Sequence, residues 1–202
     1  MVTLANVRDE VDEILPGVVA DRRHLHEHPE LGFEEFETAK FVAERLAALG
    51  VEDIRTEVNV TGVTGLIRGT GDGPGGDRCV LVRADMDALP IQETNDVDYR
   101  SQNDGKMHAC GHDAHTAMLL GVARVLMDRR DTFAGTVKVL FQPSEEAGEG
   151  GAKGMIEQGV LEDPRVDACL GLHVASSLPT GRIEVMNGAK SAAADEFRIT
   201  IQ

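Results

Sequence analysis

Aromatic side chains are scarce in this sequence, which has no tryptophan, one tyrosine and six phenylalanines. That scarcity argues against a protein that stacks nucleic-acid bases on aromatic rings. Basic residues are also few, since 20 Lys and Arg against 35 Asp and Glu give a formal net charge of −15. Because phosphate binding depends on Lys and Arg, we expect neither nucleic acid nor an anionic membrane as a partner.

Cysteine and long apolar stretches are in short supply as well. Three cysteines, an odd number, suit a disulfide framework poorly. No apolar stretch reaches the length of a membrane-spanning helix, and residues 1–16 lack the apolar segment of a signal peptide. We therefore expect a reduced, cytoplasmic protein. The aliphatic residues are still numerous enough to bury the core of a globular domain.

The most informative segment is residues 107–115, with the sequence MHACGHDAH. It places three imidazoles, one thiol and one carboxylate close together, and all of these groups are metal-ligand types. Two more segments rich in such groups, residues 143–151 and 171–174, each follow a short apolar run that is typical of a buried strand. Strand ends meet at one edge of an α/β sheet, where these proteins build their sites. The pattern predicts a metal-dependent hydrolase.

Predicted strands and helices alternate along the chain, which indicates an α/β fold with a mixed, largely parallel sheet. Gly50 provides a stop for the helix before it, and Pro16 with Gly17 indicates a break between two helices. The predicted helices cover residues 7–28 (with that break), 37–49, 115–127 and 154–158. The predicted strands cover residues 63–68, 79–82, 136–141 and 166–174, with two alternating, antiparallel strands at 182–186 and 196–201.

Cys110 and His112 are separated by Gly111, whose flexible backbone allows both side chains to approach one point. A lone cysteine is usually a small buried hydrophobe, and this is our interpretation of Cys79 and Cys169, each inside an apolar strand. The polar neighbours of Cys110 favour metal binding instead. The alternative, a cysteine nucleophile paired with histidine, leaves the paired glutamates that follow unexplained.

Glu145 and Glu146 are adjacent, and adjacent glutamates are most often a solvated surface pair. Here they follow a predicted buried strand and precede a glycine-rich turn, at the edge where the other candidate ligands meet. Adjacent carboxylates can divide two roles, since one can bind metal while the other takes a proton from water. His173 follows another predicted strand; a lone histidine there is more often structural, and only its neighbours favour ligation.

These segments resemble those of metal-dependent amidohydrolases, the family of hippurate hydrolase, N-acyl-amino-acid amidohydrolases and plant auxin-conjugate hydrolases. The matching segments occur in the family's order over nearly the whole chain, which makes the resemblance specific. They are residues 22–33 (RRHLHEHPELGF), 83–90 (RADMDALP), 108–115, 142–146 (QPSEE) and 170–173 (LGLH).

The resemblance implies a site with two divalent metal ions, zinc or manganese in first place, with cobalt or nickel also open. It further implies a small N-acyl amino acid as substrate, hydrolysed by metal-activated water. The implied roles are Cys110 as a bridging thiolate, His112 and Glu146 as further ligands of one ion, His173 as a ligand of the other, and Glu145 as general base.

Residues 83–90 contain two aspartates, Asp85 and Asp87, for which we expect different roles. In the wider group of related peptidases a histidine ligand stands where this chain has Asp85, so we do not expect Asp85 to bind metal. Asp87 is expected to orient a site residue from behind, as ligand histidines usually require. His24, His26 and His28 also invite a metal interpretation, but the resemblance implies no ligation by them, and we leave them out of the site.

Two elements of the family have no counterpart in this sequence: a late histidine ligand and a histidine of the lid domain. Residues 192–201 resemble the start of that lid. We therefore expect residues 1–188 to be the N-terminal part of a three-layer, zinc-peptidase-like catalytic domain. Residues 189–202 would be the hinge and first strand of a lid through which the parent forms homo-oligomers. Such a fragment is expected to be inactive.

Two alternatives remain open at this point. The chain could be a non-catalytic metal-binding or oligomerisation fragment, because the lid and one ligand are missing. It could also derive from a dipeptidase or an N-acetyl-diaminopimelate deacetylase of the same family.

Overall fold

The structure is a computed structural model that describes residues 4–148, 150–188, 197 and 199–201, with side chains described from residue 7 onward. The described chain contains the helices and strands of an α/β fold, but they alternate only in its second half, because two helices and then three strands come first. In chain order they are α1 (Leu4–Glu27), α2 (Phe36–Ala48), β1 (Glu52–Val58), β2 (Gly62–Arg68), β3 (Cys79–Asp85), α3 (His112–Asp128), a short 3-10 turn (Arg130–Thr132), β4 (Thr136–Gln142), α4 (Gly151–Glu157) and β5 (Ala168–Gly171).

The five strands form one sheet in the order β1-β2-β4-β3-β5. β2 pairs antiparallel with both β1 and β4, whereas β3 pairs parallel with both β4 and β5. In the parallel pair, Cys79 lies opposite Thr136 and Asp85 lies opposite Gln142. The carboxyl ends of β3 and β4 therefore reach the same edge of the sheet, which is the edge that the sequence predicts for the site.

Two apolar clusters cover opposite faces of the sheet, which makes a three-layer α/β fold. On one face α2 and α3 pack against the strands, and α1 lies on α3. On the other face α4 and the segment after it cover the sheet. The first core includes Val42, Leu46, Ile67, Leu119, Leu120, Val139 and Phe141, and the second comprises Val58, Leu81, Leu140, Met155 and Val160.

The predicted break at Pro16 is wrong, because α1 continues through it. Proline removes one backbone donor from the helix, but Pro16 is exposed, so water can bond the carbonyl that loses its partner. Ile14 and Val18 flank the proline and approach Gly121 of α3, where an added Cβ would lie 3.7 and 3.0 Å from their methyl groups. This packing holds the helix together across the proline.

Strand β1 is absent from the sequence-based prediction. Its sequence, EDIRTEV, is mostly charged, and only its last residue is buried. It pairs with β2 on one side only and contains register shifts. An edge strand of this kind has no apolar alternation for a sequence pattern to detect.

The C-terminal part of the described chain corrects two predictions. β5 is predicted as a buried strand, but all four of its residues are exposed, and Cys169 is therefore exposed instead of buried. Residues 182–186 are predicted as a strand and form none, because no described strand pairs with them.

Of the predicted strand at residues 196–201 and the predicted lid segment 189–202, residues 189–196, 198 and 202 lie outside the described residues. The domain boundary stays a prediction. None of the described helices combines the length and the apolar character needed to cross a membrane.

Candidate metal centre

The metal-ligand types predicted from the sequence converge at the carboxyl edge of the sheet. Cys110 and His112 stand at the start of α3, the two glutamates follow β4, and His173 follows β5. Ligand atoms of Cys110, His112 and His173 all lie within 4.8 Å of one another, and so do those of His112, Glu145 and Glu146. The structure thus brings all five side chains together, with His112 common to both groups.

Gly111 permits this convergence. Its φ of +91° is a left-handed conformation that favours glycine. A Cβ at this position would also lie 2.3 Å from Cγ2 of Val174, the residue after His173. Any side chain here would therefore push apart the two segments that carry Cys110 and His173.

His112 is 1% exposed, and its ring is oriented by Asp87. Nδ1 donates to the backbone oxygen of Asp87 at 2.9 Å and lies 3.2 Å from Oδ1 of the same residue. The proton on Nδ1 leaves Nε2 with a lone pair, and this buried Nε2 has no hydrogen-bond partner among the described residues. Asp87 therefore holds His112 in the tautomer that a metal ligand needs.

The Glu145–Glu146 turn is fixed from two sides. The backbone N–H of Glu146 donates to Oδ2 of Asp87 at 2.9 Å. Ser144 has a φ of +49°, uncommon for a residue with a side chain, and its N–H donates to Oε1 of the buried Glu35 at 2.8 Å. Thr61 donates to the other oxygen of Glu35 at 2.6 Å. Burial raises the pKa of Glu35, against the effect of these hydrogen bonds.

Cys110 and His173 form the more exposed side of the centre. Sγ of Cys110 lies 3.3 Å from Nε2 of His173, and Nδ1 of His173 donates to the backbone oxygen of Val174 at 2.6 Å. Burial, a hydrogen bond to Glu146 and the surrounding carboxylates raise the pKa of the Cys110 thiol to about 12. Without a nearby cation the thiol is therefore protonated at neutral pH.

Asp85 lies behind the ligands and is 1% exposed. Burial alone would raise its pKa, but a hydrogen bond from His115 and the charges of His112 and Arg83 outweigh burial and lower the pKa to about 2. Its Oδ2 lies 3.6 Å from Nε2 of His112. With Arg83 as its close cationic partner, Asp85 is ionised at neutral pH.

The arrangement fits a divalent cation well. Sulfur, imidazole nitrogen and carboxylate oxygen donors surround a buried lone pair on His112 that has no hydrogen-bond partner in the described part of the chain. The neighbouring carboxylates raise the pKa of His112, although its burial acts in the opposite direction. Excess negative charge of this kind can be neutralised by a proton on His112 or by a metal ion.

The sequence pattern of peptidase family M20/M25/M40 matches residues 81–200, more than half of the chain. The chain belongs to this family. The resemblance predicted from the sequence is confirmed, and the matched range contains every predicted site residue.

Two curated relatives of this chain are named for different hydrolytic activities. It is similar to the N-acyl-L-amino acid amidohydrolase of Geobacillus stearothermophilus, with 45% identity over 98% of this chain and 52% of the relative. It is also similar to thermostable carboxypeptidase 2 of Saccharolobus solfataricus, with 44% identity over 96% of this chain and 48% of the relative. The chain spans about half the length of these relatives, and both are hydrolases.

A solved M20 structure agrees with the fold. The Bacillus subtilis YXEP protein, a dinuclear metal-binding peptidase, shares 43% identity with this chain at a TM-score of 0.75. The match covers 83% of this chain and 45% of that protein. The predicted α/β fold is confirmed.

The sequence did not predict a buried network of hydrogen bonds and ion pairs that lies beside the candidate metal centre. His26, left out of the site, is 3% exposed, and it bonds Asp113 through Nδ1 at 2.7 Å and Glu93 through Nε2 at 3.1 Å. Arg22 pairs with the same oxygen of Asp113 at 2.8 Å. The hydrogen bond to Asp113 is the main cause of the raised pKa of His26. The network ties α1 and the loop that carries Glu93 to the start of α3, directly beside His112.

His108 lies next to this network and is 4% exposed. Burial is the main reason that its pKa falls to about 4, so its ring is neutral. Neither ring nitrogen has a hydrogen-bond partner among the described residues. His108 belongs to the ligand-rich residues 107–115, but it is in none of the groups of candidate ligands among the described residues. Its ring lies against that of His26, with centroids 6.4 Å apart.

Proposed function

We propose that this centre is part of the active site of a metal-dependent amidohydrolase that cleaves the amide bond of N-acyl amino acids. The observation that carries the proposal is the convergence of Cys110, His112 and His173 with two adjacent glutamates on one sheet edge. A relative of closely similar sequence has this activity by name. Zinc or manganese suits the mixed sulfur, nitrogen and oxygen donors.

Each residue has a distinct task in this proposal. Cys110, His112, Glu146 and His173 would hold two divalent ions, which when bound supply a Lewis acid for the amide carbonyl and acidify water. Glu145 would accept a proton from the attacking water on its carboxylate and deliver it to the nitrogen of the leaving amino acid. Asp87 would hold Nδ1 of His112, which leaves Nε2 as the nitrogen available to a metal ion, and it would fix the Glu145–Glu146 turn through the N–H of Glu146.

A cysteine-dependent hydrolase is the rival from another class. A nucleophilic cysteine requires a lowered thiol pKa, whereas carboxylates and burial raise the pKa of Cys110 to about 12. The same thiol becomes a thiolate when cations replace its proton. The acidic surroundings of Cys110 therefore favour the metal hydrolase. The cytoplasmic location predicted from the sequence is part of this proposal.

The carboxypeptidase among the relatives makes a peptide the second candidate substrate. Both substrates contain an amide next to a free carboxylate, so the centre can act on either. The lid that we place from residue 189 onward, together with the oligomer that it would form, would select between them.

The decisive experiment compares Glu145→Gln with Glu146→Gln in the complete reading frame that encodes this chain. Glu145→Gln should keep its metal and lose about 10²- to 10⁴-fold in release of free amino acid from an N-acyl amino acid. Glu146→Gln should lose metal. Elemental analysis that shows the reverse would exchange the two roles. Activity that survives a chelator and is lost to thiol alkylation alone would support the cysteine hydrolase instead.

A further inference from the structure

The segment that carries His173 has little packing of its own. His173 is exposed, as are the four residues of β5 before it, and Val174 is 40% exposed. A proposed ligand in such a position needs another means of orientation, because an exposed imidazole rotates freely.

The peptide backbone of Val174 provides that orientation through both of its polar groups. Its carbonyl accepts the Nδ1 proton of His173 at 2.6 Å, which turns Nε2 of His173 towards Cys110. Its N–H donates to Nε2 of His115 at 2.9 Å. His115 is 3% exposed and belongs to α3, so it connects the exposed segment to a rigid helix.

The tautomer of His115 follows from these partners. A backbone N–H can only donate, so Nε2 of His115 carries a lone pair and the ring proton is on Nδ1. Nδ1 donates to Oδ1 of Asp85 at 2.6 Å. Asp85 is itself held by Arg83 at 2.7 Å, and Arg83 bonds Gln142 at the end of β4. The chain of bonds runs without a break from the central sheet to His173.

We propose that His115 and Asp85 are positioning residues for His173: Asp85 sets the tautomer of His115, and His115 anchors the Val174 backbone that aims His173 at the metal. This inference rests on the proposed function, because the orientation of His173 matters only if His173 binds a metal ion. The hydrogen bonds themselves do not depend on an ion. It gives a role to two buried groups that the proposed ligand set does not use.

The test uses the 202-residue chain, first without metal. In His115→Ala, amide hydrogen exchange of Val174 should accelerate by roughly tenfold or more, because its acceptor is gone. Nitrogen NMR of His173 should change from a single Nδ1–H tautomer to a mixture. His115→Gln is the rescue variant, since its side-chain oxygen can accept the same N–H. It should restore most of the protection.

The second arm titrates the same variants with Cd²⁺ and follows each bound ion by cadmium NMR. His115→Ala should lower the affinity for the ion at His173 by about 10- to 100-fold, the usual effect of losing the hydrogen-bond partner of a ligand. The affinity for the ion at His112 should not change. Val174→Pro, which removes the N–H without touching the core, should reproduce this loss, whereas Val174→Ala should not.

The outcomes separate the two hypotheses. Unchanged Val174 exchange and an unchanged His173 tautomer in His115→Ala overturn the positioning role, whether or not metal binds. Equal affinity of the His173 ion in wild type and His115→Ala overturns it as well. If the wild-type chain binds no Cd²⁺ at all, the proposed metal site is wrong, while the metal-free arm still decides the role of His115.

Discussion

His112 and His173 are both proposed ligands, yet the structure holds their rings in different ways. His112 is 1% exposed, stands at the start of α3, and bonds both the backbone and the side chain of Asp87. His173 is exposed, follows an exposed strand, and bonds a carbonyl one residue away and the thiol of Cys110. The donors of one centre therefore belong to two regions of different rigidity.

This difference has a consequence for metal binding. A ligand already fixed in its bound orientation loses little conformational entropy when the ion arrives, whereas an exposed ligand must be ordered. In the proposed ligand set, one ion has three donors, from Cys110, His112 and Glu146, whereas the other ion has two, from Cys110 and His173. The buried Asp85 and His115 form a further group of candidate ligands, and this group also includes His112. Catalytic zinc usually has three protein ligands. We therefore expect an ion to bind first and more tightly on the His112 side.

The largest effect is expected from removal of the Cys110 thiolate, the ligand proposed for both ions. Cys110→Ser should abolish binding of the second ion and lower the affinity for the first by more than about 100-fold, because a hydroxyl at neutral pH does not replace a thiolate. Elemental analysis after gel filtration measures both ions. Cys79→Ser is a matched control in the core and should cost stability without loss of metal, while Cys169→Ser, on the surface, should change neither. Full retention of two ions by Cys110→Ser would remove this residue from the centre.

Asp87→Ala should affect the ion at His112 and leave the ion at His173 almost unchanged. It removes the carboxylate beside His112 and the acceptor of the Glu146 N–H, so we expect about a 10- to 100-fold loss of affinity for the first ion. Asp87→Asn retains one acceptor oxygen and should lose less. Isothermal titration with Zn²⁺ measures the change, with His115→Ala as the counterpart for the other side. If Asp87→Ala weakens the His173 ion more than the His112 ion, the two sides are not independent.

The dependence of metal binding on pH should be strong and positive. The pKa of the Cys110 thiol is raised to about 12, so an ion that binds the thiolate displaces a proton, and apparent affinity should rise about tenfold per pH unit. The pKa of His112 is also raised, and below it a second proton must leave, so the slope steepens in acid.

The stabilisation that Zn²⁺ adds should rise with pH, as the affinity does. In the metal-free protein, protonated His112 beside its carboxylates stabilises the fold at low pH, and this contribution is lost as the pH rises through its raised pKa. The increase in Tm that Zn²⁺ causes should therefore grow with pH, which differential scanning calorimetry can follow. An increase in Tm that is constant between pH 6 and 8 would contradict thiolate ligation.

The comparison also separates what the sequence could predict from what it could not. Cys110, Glu145 and His173 are recognisable because their side chains have metal chemistry of their own and follow predicted strands or precede a helix. Their supports are not recognisable in this way. Glu35 bonds Ser144 across 109 positions and His26 bonds Asp113 across 87, and such pairs depend on tertiary packing that no local spacing reveals.

The errors in the fold have a similar origin. Pro16 disrupts a helix locally, but packing of α1 on α3 overrides that preference. The apolar sequence of β5 indicates burial, which depends on a covering layer that the described chain does not provide. Strand β1 is charged and therefore resembles a loop, although backbone pairing with β2 makes it a strand. Local pattern did predict β3 and β4, which end at the centre, since the middle of each strand is apolar and lies in the interior of the sheet.

The smallest expected effect concerns the histidines outside the centre. His24 at the end of α1 and His28 just after the helix are exposed, with ring centroids 4.7 Å apart. They line a cavity of about 400 Å³ together with Glu30, Glu37 and Glu44. Burial and the neighbouring His28 lower the pKa of His24, which favours the neutral form of His24 that a metal ion would bind.

We nevertheless expect no change in the binding of the first two equivalents of Zn²⁺ by the double variant His24→Ala/His28→Ala. The pair lies in none of the groups of three or more candidate ligands found among the described residues. Two imidazoles without a third donor hold zinc weakly, so any binding there should follow the centre at higher concentration. Titration of the double variant beside wild type measures this directly. Loss of the tightest equivalent would mean that the first ion binds on α1, and the assignment of His112 as the more rigid ligand would then fail.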